Sequence, residues 1–426
     1  MKKHIVIIAV LLVFSIGASV ILGSEINATR NSVVITENII FGDKNVAYGL
    51  TVSELSQYAY HLFWDTEYKI GAEPSVLTEY SYYSSEKRDS TIVYHGLNVG
   101  VRDAYGCNFT KPIEEQFGIA KAYKELYDDT LPGEYNSKVI KLIDYYDYYP
   151  IAPDVDIPDL YWTNISYEDL LDEYKSEKAV YDRFVEFFKI PMLETETVSI
   201  SVGKDIYGNI LTTGSGNAYS DEVSEVSDYY SPQTVSTYNE TICYFSFSNR
   251  TYKGDAVDTS GIEGGYGIYK INYTQGKYKN EKGYFDTGID PSSLATCFPL
   301  DENYAVNEMW LSHDGAYLFC ILLDTDENAI FMQINTETME AVSTLPFQSE
   351  VPEYGVTVYP YEHFSAVLVN DTVTVFVPDD SGVYEKRFSV PISDYVSGGF
   401  MWLYESAVMD YNGEYLAVVG NLPEKL

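Results

Sequence analysis

Histidine, cysteine and serine are the residue types that most often carry catalysis or bind transition metals, and here they form no recognisable arrangement. None of the five histidines has a second His or Cys at metal-ligand spacing. The sequence contains no Gly-x-Ser-x-Gly nucleophile elbow, no P-loop, no His-Glu-x-x-His motif and no Cys-x-x-Cys pair. We therefore predict no catalytic residue, no metal site and no cofactor, with calcium as the one metal to consider further.

Calcium is considered because residues 324–328 follow the Asp-x-Asp-x-Asn opening of a calcium-binding loop. The loop then departs from the pattern, since Ala329 replaces the required Gly and Asn335 stands where a bidentate Glu belongs. An acidic hairpin turn between two strands is the favoured interpretation. A second candidate for weak, extracellular-type calcium binding is a proline-stiffened connector with three carboxylates, Asp154, Asp156 and Asp159.

Carboxylates are the remaining source of chemistry, and the chain has 64 Asp+Glu against 27 Lys+Arg, a formal net charge of −37. Some pair of these acids will lie at the spacing of roughly 5–10 Å that glycoside hydrolysis uses, so a glycan-active enzyme stays an alternative. The charge excludes a nucleic-acid partner, which needs a basic surface. It also disfavours broad docking on anionic lipid. Most of these acids are expected on a solvated surface.

Tyrosine is unusually common, with 42 Tyr beside 19 Phe and 4 Trp. A tyrosine ring buries apolar area while its hydroxyl stays hydrated, which suits both half-exposed strands and recognition surfaces. One interpretation is a sticky surface for a protein or a glycan, and the other is ordinary core and strand packing. The predicted contact residues are Tyr145, Tyr146, Tyr148, Tyr149 and Trp162.

The N-terminus has the pattern of an export signal. Lys2 and Lys3 precede an apolar-to-small run from Ile5 to Gly23, which approaches the ~20 residues that span a bilayer. Residues 1–24 are therefore predicted to be a signal peptide or an uncleaved signal anchor. Poor cleavage positions favour the anchor, and the lysines place the body outside the membrane. Because the longest later apolar run is only 316–323, a polytopic transporter or channel is excluded.

Four cysteines in an exported chain leave open whether a disulfide forms. Their spacing matches no small disulfide scaffold, and a chain of 426 residues can build a core without such cross-links. Cys243 and Cys320 lie inside apolar runs, where a cysteine thiol acts as a small buried apolar group.

The order of hydrophobic periods predicts four regions. After residues 1–24 comes a β-rich segment at 25–109 and a helical segment at 110–190. The predicted helices cover 112–127, 134–146 and a stretch from Ser166 to Pro191. Residues 191–426 are again β-like, with a hairpin turn at 207–209.

The β-like region carries a degenerate internal repeat. One unit combines strands near 310–320, 329–335 and 341–347, joined by an Asp-Gly turn and an Asn-Thr-Glu-Thr turn. A second unit is predicted at 356–361, 365–369, 373–377 and 386–390. A third unit begins at Met401, and its turn at 410–417 repeats the sequence pattern of 312–319. Strands at 241–248, 267–273 and 283–288 are predicted to form another unit upstream.

The hairpins at 312–319 and 410–417 and the turn at 334–338 resemble those of WD40-like and related β-propellers, although no Trp-Asp signature accompanies them. The resemblance implies four-stranded blades around an axis. The predicted fold is thus mainly β, a β-propeller-like domain with a helical insertion of about 80 residues at 110–190, and 25–109 closing the ring. The chain also resembles Tyr-rich, acidic exported proteins of Gram-positive bacteria, a resemblance that implies export and says nothing about activity.

The combined prediction is a membrane-anchored or secreted extracytoplasmic binding, interaction or sensor module without catalytic activity. Its expected partner is an envelope protein or a glycan. The alternatives are a glycan hydrolase or lyase on a propeller scaffold, or a purely structural surface protein. An enzyme would show converging carboxylates with raised pKa at the inner face of the propeller, and a binding module would not.

Overall fold

The computed structural model describes most of the β-like region and parts of the remainder. The described residues are 14–21, 23–24, 44–58, 62–71, 75–82, 91–94, 96, 98–103, 119–156, 178–217, 228–274, 276–279, 284–286, 288–349, 356–370, 372–391 and 408–419. They divide into two compact units, one from residues 1–88 with 405–426 and the other from residues 89–404.

The described residues of the first unit form two small antiparallel sheets. One is the meander of β1 (Thr51–Tyr58), β2 (Leu62–Lys69) and β3 (Ser75–Tyr82), preceded by a 3₁₀ turn at Lys44–Ala47. The other is a hairpin formed late in the chain, and its two strands carry the labels β24 (Val408–Tyr411) and β25 (Leu416–Val419) in chain order. Residues 14–21 and 23–24 are helical.

The second unit contains the helices α1 (Ala120–Asp129) and α2 (Lys178–Phe187), a 3₁₀ turn at Leu142–Asp144 and most of the strands. The early strands are β4 (Thr91–Tyr94), β5 (Asn98–Asp103), β6 (Tyr135–Lys141), β7 (Ile151–Asp156), β8 (Thr197–Lys204) and β9 (Ile210–Asn217). The later strands are β10 (Thr234–Tyr238), β11 (Ile242–Phe247), β12 (Gly267–Tyr273), β13 (Gly276–Lys279), β14 (Tyr284–Asp286), β15 (Ile289–Pro299), β16 (Ala305–Leu311), β17 (Tyr317–Leu323), β18 (Ala329–Asn335), β19 (Glu340–Gln348), β20 (Val356–Pro360), β21 (Ser365–Val369), β22 (Thr372–Pro378) and β23 (Tyr384–Pro391).

Three consecutive four-stranded antiparallel meanders dominate the second unit. The first blade is β10-β11-β12-β15, the second blade is β16-β17-β18-β19 and the third blade is β20-β21-β22-β23. The first strands of successive blades adjoin, β10 beside β16 and β16 beside β20. Successive meanders that meet through their first strands are the arrangement of a β-propeller, so the mainly β, propeller-like prediction is confirmed.

The second blade buries both of its faces, which explains its nearly continuous apolar runs. Strand residues alternate between faces, so every second side chain points to the same neighbour. One face packs on the first blade through Leu318, Cys320, Leu322, Ile330, Met332 and Ile334. The other packs on the third blade through Trp310, Phe319, Ile321, Leu323 and Phe331.

Short polar side chains close the hairpins that the sequence marks as turns. The Asp314 carboxylate accepts hydrogen bonds from the Ser312 hydroxyl (2.6 Å) and the Ala316 amide (3.0 Å). The Asn412 side chain accepts from the amides of Glu414 and Tyr415. Such local acceptors fix a turn, and both predicted hairpins are confirmed.

The upstream unit requires one correction. Its second and third strands lie close to the prediction, but the fourth strand of the first blade is β15 and not 283–288. Residues 284–286 instead form β14 of a separate sheet with β13 and β4. The first strand of this blade, β10 (Thr234–Tyr238), has no counterpart in the predicted unit.

The predicted helix at 134–146 is wrong, and a continuous helical insertion of about 80 residues is not present. Residues 135–141 form β6, which pairs with β8 along its length. The apolar stripe that suggested a helix is not a buried face, because Val139 and Ile143 are exposed while Ile140 and Leu142 are buried. Pairing with a neighbouring strand outweighs a local 3.6-residue period.

Two helices are described within 110–190. α1 overlaps the predicted helix at 112–127, although residues 111–118 lie outside the described part. α2 is the described portion of the third predicted helix, and its apolar face is buried as expected. Phe184, Phe187 and Phe188 contact Phe245 and Tyr269 of the first blade. This aromatic cluster joins the helix to the first blade. The boundaries predicted at 24, 109 and 190 stay predictions.

Most of the predicted anchor, including residues 1–13 and 22, lies outside the described residues. Across the part of the chain that the structure describes, no helix is long and apolar enough to cross a membrane. Cys243 and Cys320 are buried thiols, as predicted, and Cys297 is a half-buried thiol. Cys107 lies outside the described residues.

Candidate ligand cavity at the inner strands

A cavity of 240 Å³ opens where the inner strands of the three blades meet. We call it the inner-strand cavity, and its ten lining residues in the described part of the chain are Gln233, Thr234, Val235, Ser248, Ala305, Val306, Asn307, Glu308, Leu323 and Val356. The lining therefore mixes neutral hydrogen-bonding groups and aliphatic side chains with a single carboxyl. Concave sites of this composition are the usual place for a small ligand.

A β-bulge brings the polar residues of β16 into this cavity. Val306 pairs with Leu322 and Glu308 pairs with Ile321, so Asn307 is the extra residue that forms the bulge. A bulge interrupts strict alternation and re-aims the side chains beside it. The consequence is that four consecutive residues, 305–308, all line the cavity.

Glu308 is the group with the most unusual environment in the cavity. Its side chain is partly withdrawn from water, and this desolvation raises the pKa of the Glu308 carboxyl to about 7. Among the described residues, no hydrogen bond or ion pair reaches this carboxyl. A desolvated carboxylate without a donor or a cation nearby is destabilised, so its proton is held more tightly than in water.

The surrounding strands supply no counter-charge. Glu308 is the only Asp, Glu, Lys, Arg or His residue on β10, β11, β16, β17 and β20. Arg250, two residues beyond Ser248, points its guanidinium at the backbone carbonyls of Asn303 (2.9 Å) and Glu302 (3.4 Å). The cavity therefore presents one titratable group among neutral partners.

The sequence did not identify this cavity. A single glutamate within the otherwise uncharged strand Ala305–Leu311 is the signal that could have marked Glu308. A charged residue in a strand that reads as buried needs a partner or a function. The bulge that exposes Asn307 and Glu308 together has no sequence signature of its own.

The predicted tyrosine contacts occupy different environments. Tyr149 is 2% exposed and packs edge to face on Tyr230, so it is a core residue and not a surface contact. Tyr145 and Tyr146 are partly buried against the same core. Tyr148 is 47% exposed, and its recognition role stays a prediction. Trp162 lies outside the described residues.

The calcium-like segment 324–328 is a hairpin turn between β17 and β18. The Asp324 carboxylate accepts from the amides of Asp326 and Asn328, both at 2.9 Å, and from the Asn328 side chain. These bonds occupy the oxygens that a cation would need. Asp154 and Asp156 lie on β7, and Asp159 is outside the described residues. The described residues contain no group of three or more His, Cys, Asp or Glu that could hold a metal ion.

No family model matches the chain, and no curated protein matches it in sequence. Among solved structures, it is similar to a protein from Lactobacillus plantarum at 10% identity and a TM-score of 0.25, over 78% of this chain and 69% of that one. It is also similar to the β-propeller domain of Myceliophteria thermophila Cps50 (Swd1), at 9% identity and a TM-score of 0.23, over 53% and 76% of the two chains. A third is the periplasmic gluconolactonase PpgL of Pseudomonas aeruginosa, at 13% identity and a TM-score of 0.23, over 48% and 65%. TM-scores this low support no functional conclusion, and the propeller-like arrangement rests on the strand order of this chain.

Proposed function

We propose that the protein is an extracytoplasmic binding or sensor module, membrane-anchored or secreted, that takes up a small polar ligand in the inner-strand cavity. Support for the location comes from Lys2, Lys3 and the apolar run that follows, a pattern typical of export. The net charge of −37 favours an acidic, soluble body that attracts cations or basic partners.

The observation that carries the binding proposal is the composition of the inner-strand cavity. Five of its ten lining residues are polar, and only one of those ionises near neutral pH. A volume of 240 Å³ corresponds to about eight water molecules at ~30 Å³ each. This is below the range of drug-sized pockets, so the fitting ligand is small.

The same composition favours binding over glycan hydrolysis. A glycosidase of the usual kind needs two carboxyl groups roughly 5–10 Å apart on either side of the scissile bond. Among the described lining residues Glu308 is the single carboxyl. Converging carboxylates are therefore not a feature of this cavity.

Thermal denaturation of the full-length protein in detergent micelles tests the binding proposal. The probes are sugars, polyols, amino acids and simple amines. Gln233→Trp places a large ring at the mouth of the cavity from an exposed position, so the fold should tolerate it. Thr344→Trp, exposed on the outer strand β19, is the matched control.

We expect at least one probe to raise the melting temperature of the wild type and of Thr344→Trp by several degrees, and to leave Gln233→Trp unchanged. Ligand that binds only the native state stabilises it by mass action. Equal shifts in all three proteins, or no shift with any probe, would reject the cavity as a binding site.

We further propose an envelope protein or a glycan as the larger partner, with Tyr148 on the contact surface. In-cell crosslinking of the tagged full-length protein, followed by mass spectrometry, tests this interaction. The control carries residues 1–30 on an unrelated body. A stoichiometric envelope partner supports the proposal, and capture no greater than in the control rejects a protein partner.

A further inference from the structure

The Glu308 carboxyl lacks the partner that a partly buried acid normally has. Buried carboxylates in proteins are usually paired with a cation or held by several hydrogen-bond donors. Neither is present among the described residues around Glu308, yet the side chain faces an open cavity rather than the packed core. The cavity therefore leaves space for a bound ligand to pair with the Glu308 carboxylate.

We propose that the inner-strand cavity selects a small organic cation, a primary amine or quaternary ammonium compound, with the Glu308 carboxylate as its counter-charge. This proposal rests on the proposed binding function and names its ligand class. A charge-assisted contact between an ammonium group and a carboxylate is stronger than a neutral hydrogen bond, and more so where water is partly excluded.

The remaining lining suits the rest of such a ligand. Gln233 offers an amide group and Thr234 a hydroxyl to the hydrogen-bonding groups of the ligand, and Asn307 and Ser248 add polar surface to the lining. Aliphatic side chains from all three blades cover a carbon skeleton; these are Val235, Val306, Leu323 and Val356. Among the described lining residues there is no basic side chain to repel the ligand. The net charge of −37 raises the local concentration of cations.

An organic cation fits this lining better than a metal ion. Calcium takes six to eight oxygen ligands, usually including several carboxylates. The cavity offers a single carboxyl, and no cluster of three metal-ligating residues occurs among the described residues. A single counter-charge surrounded by neutral polar groups matches one ammonium group.

Binding of this ligand is linked to a proton. Only ionised Glu308 attracts the cation, and the pKa of this group lies at about 7 before the ligand binds. No charged side chain of β10, β11, β16, β17 or β20 competes with it. Below the pKa, the affinity for a permanent cation should fall by about tenfold per pH unit.

Isothermal titration of the full-length protein in detergent micelles tests the ligand class with two matched pairs of probes. Choline is compared with dimethylbutanol, its neutral carbon isostere, and ethanolamine is compared with ethylene glycol. Choline has a permanent charge, so its pH dependence reports on the protein alone. The variants are Glu308→Gln, which keeps the shape of the side chain, and Glu340→Gln, an exposed glutamate of the same blade.

The wild type and Glu340→Gln should prefer each cation over its neutral partner by at least about tenfold at a pH of about 8, and lose most of that preference at about 5.5. Glu308→Gln should abolish both the preference and its pH dependence, while leaving the neutral probes unaffected. Equal binding of charged and neutral probes overturns the cation proposal and leaves the binding function standing. The cation proposal also fails, and the binding function stands, if only sugars or polyols raise the melting temperature of the wild type while leaving that of Gln233→Trp unchanged. If no probe of any class binds, both proposals fail.

Discussion

Among the described residues of the second unit, two glutamates are withdrawn from water, and their surroundings differ. Glu196 is 2% exposed, and its carboxylate accepts hydrogen bonds from the Tyr149 hydroxyl and the Tyr230 amide. Glu308 is half-buried in the inner-strand cavity, with no protein donor among the described residues. One acid is fully integrated into the core, and the other faces space that a ligand can enter.

The difference separates a structural acid from a candidate functional one. Burial raises the pKa of the Tyr149 hydroxyl above its ordinary value, and the charge of Glu196 adds to the rise, so Tyr149 stays a donor. A satisfied buried carboxylate fixes its neighbours in one arrangement. An unsatisfied one costs stability, which proteins tolerate mainly at binding and catalytic sites.

The largest effect is expected on removing the structural acid. Glu196→Leu leaves the Tyr149 hydroxyl and the Tyr230 amide without an acceptor in the core. At about 1–3 kcal/mol for each unsatisfied group, the free energy of unfolding should fall by about 2–5 kcal/mol. Urea denaturation followed by tryptophan fluorescence measures the change.

Glu194→Leu is the matched control, because Glu194 is exposed two residues earlier in the chain. A surface substitution of this kind should change the free energy of unfolding by less than about 0.5 kcal/mol. Equal losses in the two variants would show that the hydrogen bonds to Glu196 contribute nothing specific.

A neutral buried group provides a second test of whether satisfied polar groups in the core stabilise the fold. Gln333 is fully buried, its amide donates to the Gly382 carbonyl (2.8 Å) and its carbonyl accepts from the Tyr384 amide (2.9 Å). These bonds join the second blade to the third. Gln333→Leu should reduce the free energy of unfolding by about 2–3 kcal/mol.

Gln348→Leu, at a half-buried position on β19, is the comparison for Gln333→Leu, and its urea midpoint should stay close to that of the wild type. If Gln333→Leu is as stable as Gln348→Leu, the two hydrogen bonds of the Gln333 side chain do not contribute to holding the second and third blades together.

Glu308→Gln should act in the opposite direction and stabilise the ligand-free protein. The folded-state pKa of Glu308 is raised from 4.5 to about 7, so the wild type loses stability as the pH rises through this window. Glutamine does not ionise, so the variant avoids the loss. At about 1.4 kcal/mol per pKa unit the upper limit is about 3.5 kcal/mol, and partial solvent access reduces the expected gain to about 1–2 kcal/mol.

Melting temperatures at a series of pH values measure this gain. The wild type and Glu308→Gln should be equally stable below a pH of about 4.5, and the variant should be more stable above about 7. Glu340→Gln should follow the wild type at every pH. A Glu308→Gln variant less stable than the wild type at high pH would mean that Glu308 has a stabilising partner after all.

The second and third blades could be predicted from the sequence, because their central strands are short apolar runs. The turns of the second blade also carry Asp-Gly and Asn-Thr signals at 312–315 and 335–338. The strand β6 could not, since pairing with β8 overrides a helical period. The cavity was also missed. It depends on a bulge at Asn307 and on the approach of three strands distant in sequence. Sequence periodicity reports faces of elements, and not the spaces left where elements meet.

The smallest effect is expected at Tyr148, which is exposed while its neighbour Tyr149 is buried. Tyr148 is exposed, so Tyr148→Ala should change the free energy of unfolding by less than about 0.5 kcal/mol. Tyr149→Phe removes only the hydroxyl that donates to Glu196, and should cost about 1–3 kcal/mol because the buried carboxylate loses a donor. Urea denaturation compares the two variants, and in-cell crosslinking shows whether Tyr148→Ala reduces partner capture. If Tyr148→Ala proves the more destabilising change, then Tyr148 packs against the core and its place on a contact surface has to be abandoned.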